Sequence, residues 1–343
     1  MNFHECFHEL EQKYPARNPG SQELTRVIEQ CKETAANHGI ALEFKEIPVY
    51  SLRSAVLFFN IVSCAVLLLS LVIPGAGLAG QLILGALLCR EIVKPCFSRI
   101  QAGHSADLTL KIPARSKETQ QVYLTAPLCT DQFADNAAGF SGPWLFAGIV
   151  VLPLLFQAFY YFGGWQAGLY WEFLVLAVGS LLVLRKRKAT PAVSLANSAV
   201  LLELAAILTK SRASTTTVTI LLAGARSLNS GIRHLYPEFK KNELAYLINL
   251  MDLPGEVIDI AAGEGPLVPL RSDPVLLELL AETARQKSIA VTTKSLPEAG
   301  ETYPFKLMGR KAVTVTNPLQ ENSHKDLREL LTGLIRRIDN PRE

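Results

Sequence analysis

Three groupings of side chains in this 343-residue chain have the spacing of known chemistry. Near the start, His4-Glu5-Cys6-Phe7-His8 spells H-E-x-x-H, in which two histidines one helical turn apart hold zinc and the glutamate activates a water. That chemistry also needs a third ligand downstream and a rigid surround. This run begins at residue 4 of a terminus that is free to fray, so metalloprotease chemistry is not expected. Gly75-Ala76-Gly77-Leu78-Ala79-Gly80 spells G-x-G-x-x-G, the dinucleotide fingerprint, which needs a short strand before it and an acidic residue about 20 positions later. A long apolar run precedes it instead, and the acidic position falls among Lys94, Cys96 and Arg99, so no nucleotide is expected. The cysteines Cys6, Cys31, Cys64, Cys89, Cys96 and Cys129 lack C-x-x-C spacing and read as reduced, buried thiols.

The elements that must position such groups are unusually apolar. Hydrophobic residues make up 49% of the chain and charged residues 19%, too apolar for a disordered or simply soluble protein. The net charge of +3 and the lack of a basic groove-reading helix exclude a strongly cationic nucleic-acid binder. No apolar segment follows Met1, so no cleavable signal peptide is expected. Ala55 to Ile73 reads as a membrane helix broken by Pro74-Gly75-Ala76-Gly77. Leu78 to Cys89 follows, and it spans only if it continues towards Phe97 with Arg90 and Lys94 reaching the headgroups; otherwise it is re-entrant. A second pair, Trp144 to Phe162 and Leu169 to Leu184, flanks a turn where Tyr160, Tyr161, Trp165, Tyr170 and Trp171 form an interfacial aromatic belt. Pro153 predicts a kink in its first helix. Both pairs are taken as uncharged runs of a length that soluble cores rarely contain.

These readings predict transmembrane hairpins over 54–97 and 144–184. The flanking cations Arg53, Arg90, Lys94, Arg99, Arg185, Lys186, Arg187 and Lys188 share one side, and both hairpin turns are uncharged. By the positive-inside rule the chain is a multi-pass inner-membrane protein with its soluble part facing the cytoplasm. The Arg185-Lys186-Arg187-Lys188 cluster would also attract anionic headgroups by about 1 kcal/mol per residue. Because each hairpin returns to the side it left, 1–53, 98–143 and 185–343 can fold as one soluble domain. Within it, Ser21 to His38 predicts a capped amphipathic helix stopped by Gly39, and Asp273-Pro274 starts another. Leu195 to Thr209 and Ser323 to Ile338 are helical patterns, alternating with short β-branched runs. The fold class is α/β, a mixed central sheet sandwiched by helices.

Arg17-Asn-Pro-Gly-Ser21, then QQVYLTAPLCT, NSAVLLELAAIL, TVTILLAGARSLNSGIRHL, LAYLINLMDLPG and TYPFKLMGRKAVTVTN follow one another along the soluble pieces. In that order they resemble the di-zinc aminopeptidase family, which includes bacterial aminopeptidases and glutamate carboxypeptidase; glutaminyl cyclase, the transferrin receptor and nicastrin use related folds. The resemblance implies two zinc ions held by two histidines and three acidic residues, with a further glutamate as general base. This chain departs from that pattern. Pro127 stands where the A-H-x-D histidine is expected and Cys129 where its supporting aspartate is. Asn197 lies in the turn where the bridging aspartate is expected, and Ala225-Arg226 replaces the two glutamates of G-E-E. Asp252, one residue out of register, and His324 survive loosely as ligand positions, although a strand-end turn and a surface histidine explain them as well.

These departures predict a catalytically inactive, aminopeptidase-like pseudo-enzyme with no metal or other cofactor. It would sit in the lipid bilayer as a scaffold or binding subunit of a membrane complex, with a membrane protein as partner. Small and polar residues at Asn60, Ser63, Gly80, Gln81, Gly85, Gly148, Gln157, Gly179 and Ser180 predict an outward-facing stripe for that partner, although packing of the hairpins on each other explains any one of them. The alternatives are a membrane-bound metallopeptidase or cyclase with an atypical metal site, and a peptide or small-molecule sensor using the vestigial cleft.

Overall fold

Runs of β-branched and aliphatic residues, spaced by amphipathic helices, build a nine-stranded mixed sheet. The computed structural model describes residues 3–50, 52–93, 101–130, 151–184, 194–225, 231–252, 255–265, 269–296, 301–318 and 321–340. The chain divides into two compact units, Met1–Val49 with Gly103–Ala134 and Ala189–Glu343, and Tyr50–Ala102 with Asp135–Lys188.

The strands are β1 (Glu43–Tyr50), β2 (Gln101–Ile112), β3 (Gln120–Pro127), β4 (Thr216–Ala223), β5 (Ala245–Asp252), β6 (Ile258–Glu264), β7 (Leu270–Arg271), β8 (Val291–Leu296) and β9 (Lys311–Asn317). Their order is β1-β2-β4-β3-β5-β9-β6-β7, with β8 beside β6. β4, β3, β5 and β9 run parallel, β2 is antiparallel to β4, and β6 is antiparallel to β9. The parallel strands are buried on both faces, which is why they read as near-continuous apolar runs.

The helices of this unit are α1 (Phe3–Lys13), α2 (Gln22–Asn37), α7 (Ala196–Lys210), α8 (Tyr236–Lys241), α9 (Pro274–Lys287), α10 (Tyr303–Leu307) and α11 (Glu321–Asp339). Alternation along β3 sorts them to two faces. Val122 and Leu124 join the core made with α1, α2, α7, α9 and α11, whereas Tyr123 packs with Phe239 of α8 and Phe305 of α10. The anticipated caps form: Ser21 Oγ accepts from Leu24 N at 3.2 Å and Asp273 Oδ1 from Leu276 N at 3.0 Å. Gly39 ends α2 in the left-handed region at φ +74°.

The second unit contains α3 (Leu52–Ser70), α4 (Pro74–Val93), α5 (Leu152–Gly163) and α6 (Ala167–Leu184). Three corrections to the sequence reading arise here. First, Pro74-Gly75-Ala76-Gly77 does not break the chain between helices: the turn is Leu71-Val72-Ile73, and Pro74 opens a 20-residue α4. Proline is at home there because the first turn has no intrahelical acceptor for its missing N–H. Pro153 lies in the first described turn of α5, and the residues before 151, where the expected kink would be read, lie outside the described residues. Second, the run from Leu169 to Leu184 is not uncharged, since Glu172 lies inside it. Third, five positions of the small and polar stripe turn inward: Asn60, Ser63, Gln81 and Gln157 are buried within the bundle, and a Cβ on Gly80 would come 2.7 Å from Val66 Cγ1, while Gly85 is half-buried. Hydrogen bonding among these side chains takes precedence over a partner surface. Gly148 lies outside the described residues, as do the surroundings of Gly179 and Ser180.

Transmembrane hairpins are expected over 54–97 and 144–184, yet among the described residues no helix is long and apolar enough to cross a membrane. What the structure contains there is two helical hairpins whose exposed positions are apolar, including Leu68, Val72, Ile83, Phe162 and Phe173.

Candidate functional site

Four parallel strands bring their carboxyl ends to one edge of the sheet, the place where open α/β sheets bind ligands. Pro127 ends β3, Ala223 ends β4, Asp252 ends β5 and Asn317 ends β9. Asn197, buried in the first turn of α7, donates through Nδ2 to Asp252 Oδ1 at 2.7 Å and accepts at Oδ1 from Asn317 Nδ2 at 3.1 Å. The Pro127 carbonyl accepts from Ser198 Oγ at 3.4 Å. Two of the positions singled out from sequence, Asn197 and Asp252, are therefore in direct contact, but one is an amide.

Arg17 is fully buried in the same unit. Its Nε donates to Leu128 O at 2.9 Å and its NH1 to Tyr14 O at 2.8 Å, while its own carbonyl accepts from Thr130 N at 2.8 Å. Burial lowers its pKa, and the carboxylates of Glu11 and Asp252 work against that. A guanidinium stays protonated under such opposition, so a fixed positive charge acts on Asp252 and on buried Cys129. Nothing in the sequence reading assigns Arg17 this role.

Beyond β4 the chain turns at Gly224, where a Cβ would lie 2.0 Å from Ala106 O and 2.8 Å from Ser105 Oγ, so no side chain fits. Ala225 is buried against Ile47, and Arg226 lies outside the described residues, as do Arg185, Lys186, Arg187 and Lys188. The close approach at Gly224 serves a carboxylate. Asp107 of β2 is fully buried; its Oδ1 accepts from Gly224 N at 2.8 Å and its Oδ2 lies 3.3 Å from His234 Nδ1. Burial pushes the Asp107 carboxyl up to about 8, helped by Glu301 and opposed by the Gly224 N–H and Lys45. Sequence reasoning misses this pair because strand register alone makes it: Leu108 pairs with Leu222, which sets Asp107 beside the end of β4.

His324 is placed elsewhere. Its ring stacks on His4 with centroids 4.7 Å apart and planes 4° apart, and His4 Nε2 lies 3.5 Å from Glu203 Oε1. They line a cavity of about 630 Å³ with His8, Glu11 and Arg328. Of the two histidines of H-E-x-x-H, His4 stacks on His324, and His8 Nε2 lies 2.9 Å from Gln12 Nε2 on its own helix. Glu11 instead caps α7, accepting from Leu195 N at 3.3 Å.

A metal pair needs a converging set of carboxylates and imidazoles. Asp252 is the one carboxylate at the ends of the four parallel strands, beside proline, alanine and asparagine; His324 faces His4, and among the described residues no group of three His, Cys, Asp or Glu could hold a metal ion. The described residues do not fit a zinc pair.

Solved structures with this arrangement are found at low sequence identity. The glutaminyl cyclase of an Acidobacteriales bacterium superposes with a TM-score of 0.53 at 12% identity, covering 99% of this chain and 94% of its own. A leucine aminopeptidase precursor from Bacteroides thetaiotaomicron gives 0.53 at 9% identity, covering 98% and 96%. BSAP, a zinc aminopeptidase from Bacillus subtilis, gives 0.52 at 9%, covering 97% and 93%. The fold is that of the zinc aminopeptidases. No protein-family model matches the chain, and no curated protein matches it in sequence. The likeness is one of fold alone. The aminopeptidase-like sheet is shared, while the ends of its four parallel strands carry proline, alanine, asparagine and a single carboxylate, Asp252.

Proposed function

We propose that this chain is a membrane-embedded, catalytically inactive aminopeptidase-like protein, a scaffold or binding subunit of a membrane complex, with its sheet unit on the cytoplasmic face. The observation that carries the membrane assignment is the inverted polarity of the four-helix unit. Asn60, Ser63, Ser70, Gln81, Gln157 and Glu172 are buried, while Leu68, Val72 and Phe162 are 65%, 79% and 78% exposed. A water-soluble bundle has the opposite arrangement, because exposed aliphatic surface costs about 25 cal/mol per Å² in water and nothing in lipid. With the polar residues turned inward, the exterior offers lipid or a membrane-protein partner an apolar face.

Inactivity is supported by the donor set. Asp252 accepts from the Asn197 amide, and the ends of β3 and β4 carry proline and alanine, which have no ligand atom. The test has two arms on the full chain. Alkaline carbonate should leave it in the membrane pellet. Purified in detergent, it should carry no stoichiometric zinc and should not hydrolyse aminoacyl arylamides; two zinc ions per chain or hydrolysis sensitive to chelator would sink the assignment.

One observation favours the alternative of a peptidase or cyclase with an atypical site. The His234 imidazole lies 3.3 Å from the buried Asp107 carboxyl beside Gly224, which places a base next to an acid. Turnover of an aminoacyl or N-terminal glutaminyl peptide that is lost in His234→Gln would establish that alternative.

A further inference from the structure

Glu172 of α6 is fully buried in the helical unit and draws a side chain from each of the other three helices around it. Its Oε1 accepts from Gln81 Nε2 of α4 at 2.8 Å, and its Oε2 accepts from Gln157 Nε2 of α5 at 2.7 Å. From α3, Ser63 Oγ donates to Gln81 Oε1 at 3.3 Å, and Ser70 Oγ accepts from Gln157 Nε2 at 3.3 Å while donating to Leu67 O at 2.6 Å. Among the described residues no cation pairs with Glu172; its two partners are neutral amides.

An ionised carboxylate in apolar surroundings costs several kcal/mol even after relaxation, and each hydrogen bond to it returns only about 1.5 to 3 kcal/mol. The negative charge therefore calls for a positive one bound at the node. A metal cation would need oxygen atoms converging on it, whereas both carboxylate oxygens are faced by N–H donors. A proton needs one acceptor. Gln157 Oε1 is buried and has no hydrogen-bond partner, and a Cβ on Gly77 would lie 2.5 Å from it, so the glycine leaves the amide its room. Turning that amide end over, an exchange of nearly isosteric groups, brings its oxygen to the place where Nε2 now meets Glu172 Oε2.

We propose that Glu172 is a proton-binding site of the bundle and that Gln157 exchanges amide nitrogen for amide oxygen as the proton arrives. The carboxylate takes one proton from a hydronium ion, whose O–H bond breaks to leave water, and forms an O–H bond at Oε2; no other covalent bond of the protein changes. The new O–H donates to Gln157 Oε1, and Gln81 keeps its bond to Oε1 of Glu172. This inference rests on the membrane-embedded reading, which supplies the apolar surroundings.

The test uses the full chain in phospholipid vesicles and dicyclohexylcarbodiimide, an apolar reagent that attacks protonated carboxyls and leaves a stable acylurea. Peptide mass mapping should find the label on Glu172, at a rate falling at least about tenfold from acid to alkaline pH (about 1.4 kcal/mol). Sodium chloride and choline chloride should give equal rates, and Glu172→Gln should lose the label. Gln157→Leu, which removes the acceptor, should shift the pH at which labelling falls. Absence of label on Glu172 overturns the proposal, as does suppression by sodium ions, which would mark a metal-cation site. Carbonate extraction of the same preparation is read separately. A chain released by carbonate refutes the membrane reading, while a chain retained but unlabelled refutes only the proton site.

Discussion

Replacing Asp107 by asparagine should abolish a pH dependence of stability that the wild-type sheet unit carries. The carboxyl is fully buried, and burial pushes it from 3.8 up to about 8. A carboxyl raised in the folded state keeps its proton when the unfolded chain has released its own. Its stabilising contribution is thus complete below the unfolded value and is lost as pH climbs through the folded one. Each unit in that window is worth about 1.4 kcal/mol, so from about pH 5 to about pH 8 the fall is at most about 4 kcal/mol. His234, 3.3 Å from Oδ2, returns part of this when its imidazole is protonated, which makes about 2 to 4 kcal/mol the expected loss. Asparagine retains an oxygen for the Gly224 N–H and carries no proton. Pulse proteolysis of the full chain in detergent micelles across urea, repeated at each pH, reads the unfolding free energy of the sheet unit. The wild type should lose stability with rising pH, and Asp107→Asn should be flat and more stable at the alkaline end. Equal slopes for the two proteins would refute the reasoning, because some other group would then carry the titration.

Gly224→Ala should destabilise the sheet unit by several kcal/mol in the same assay, since the added methyl would stand 2.0 Å from Ala106 O and push β2 away from β4. Arg17→Met should cost about 3 to 5 kcal/mol in urea unfolding, because Leu128 O and Tyr14 O would be left buried without their donor. In the helical unit, Gly77→Leu should lower the thermal midpoint measured by tryptophan fluorescence, as a Cβ there meets Ser70 Cβ at 2.3 Å. Asn197→Asp should lose about 2 kcal/mol or more by setting two carboxylates within 2.7 Å; recovery on adding zinc would show a latent metal site and contradict the donor argument.

Local patterns are enough to define much of this chain. The caps at Ser21 and Asp273 depend on residues three positions apart, and the buried strands β3, β4, β5 and β9 are apolar whatever they pair with. Pro127 and Ala225 are readable in the letters for the same reason, since a side chain that carries no ligand atom cannot gain one on folding, whereas Asn197 keeps an amide oxygen. The carboxylate in the apolar run at Glu172 was equally visible in the letters, but its meaning was not, since only packing of the four helices sets Gln81 and Gln157 on its two oxygens. Tertiary structure likewise decided that Asp107 meets His234, that His324 stacks on His4, and that five positions of the small and polar stripe face inward. The energies involved belong to pairs distant in sequence. They depend on strand register and helix packing, which side-chain periodicity along one segment does not encode.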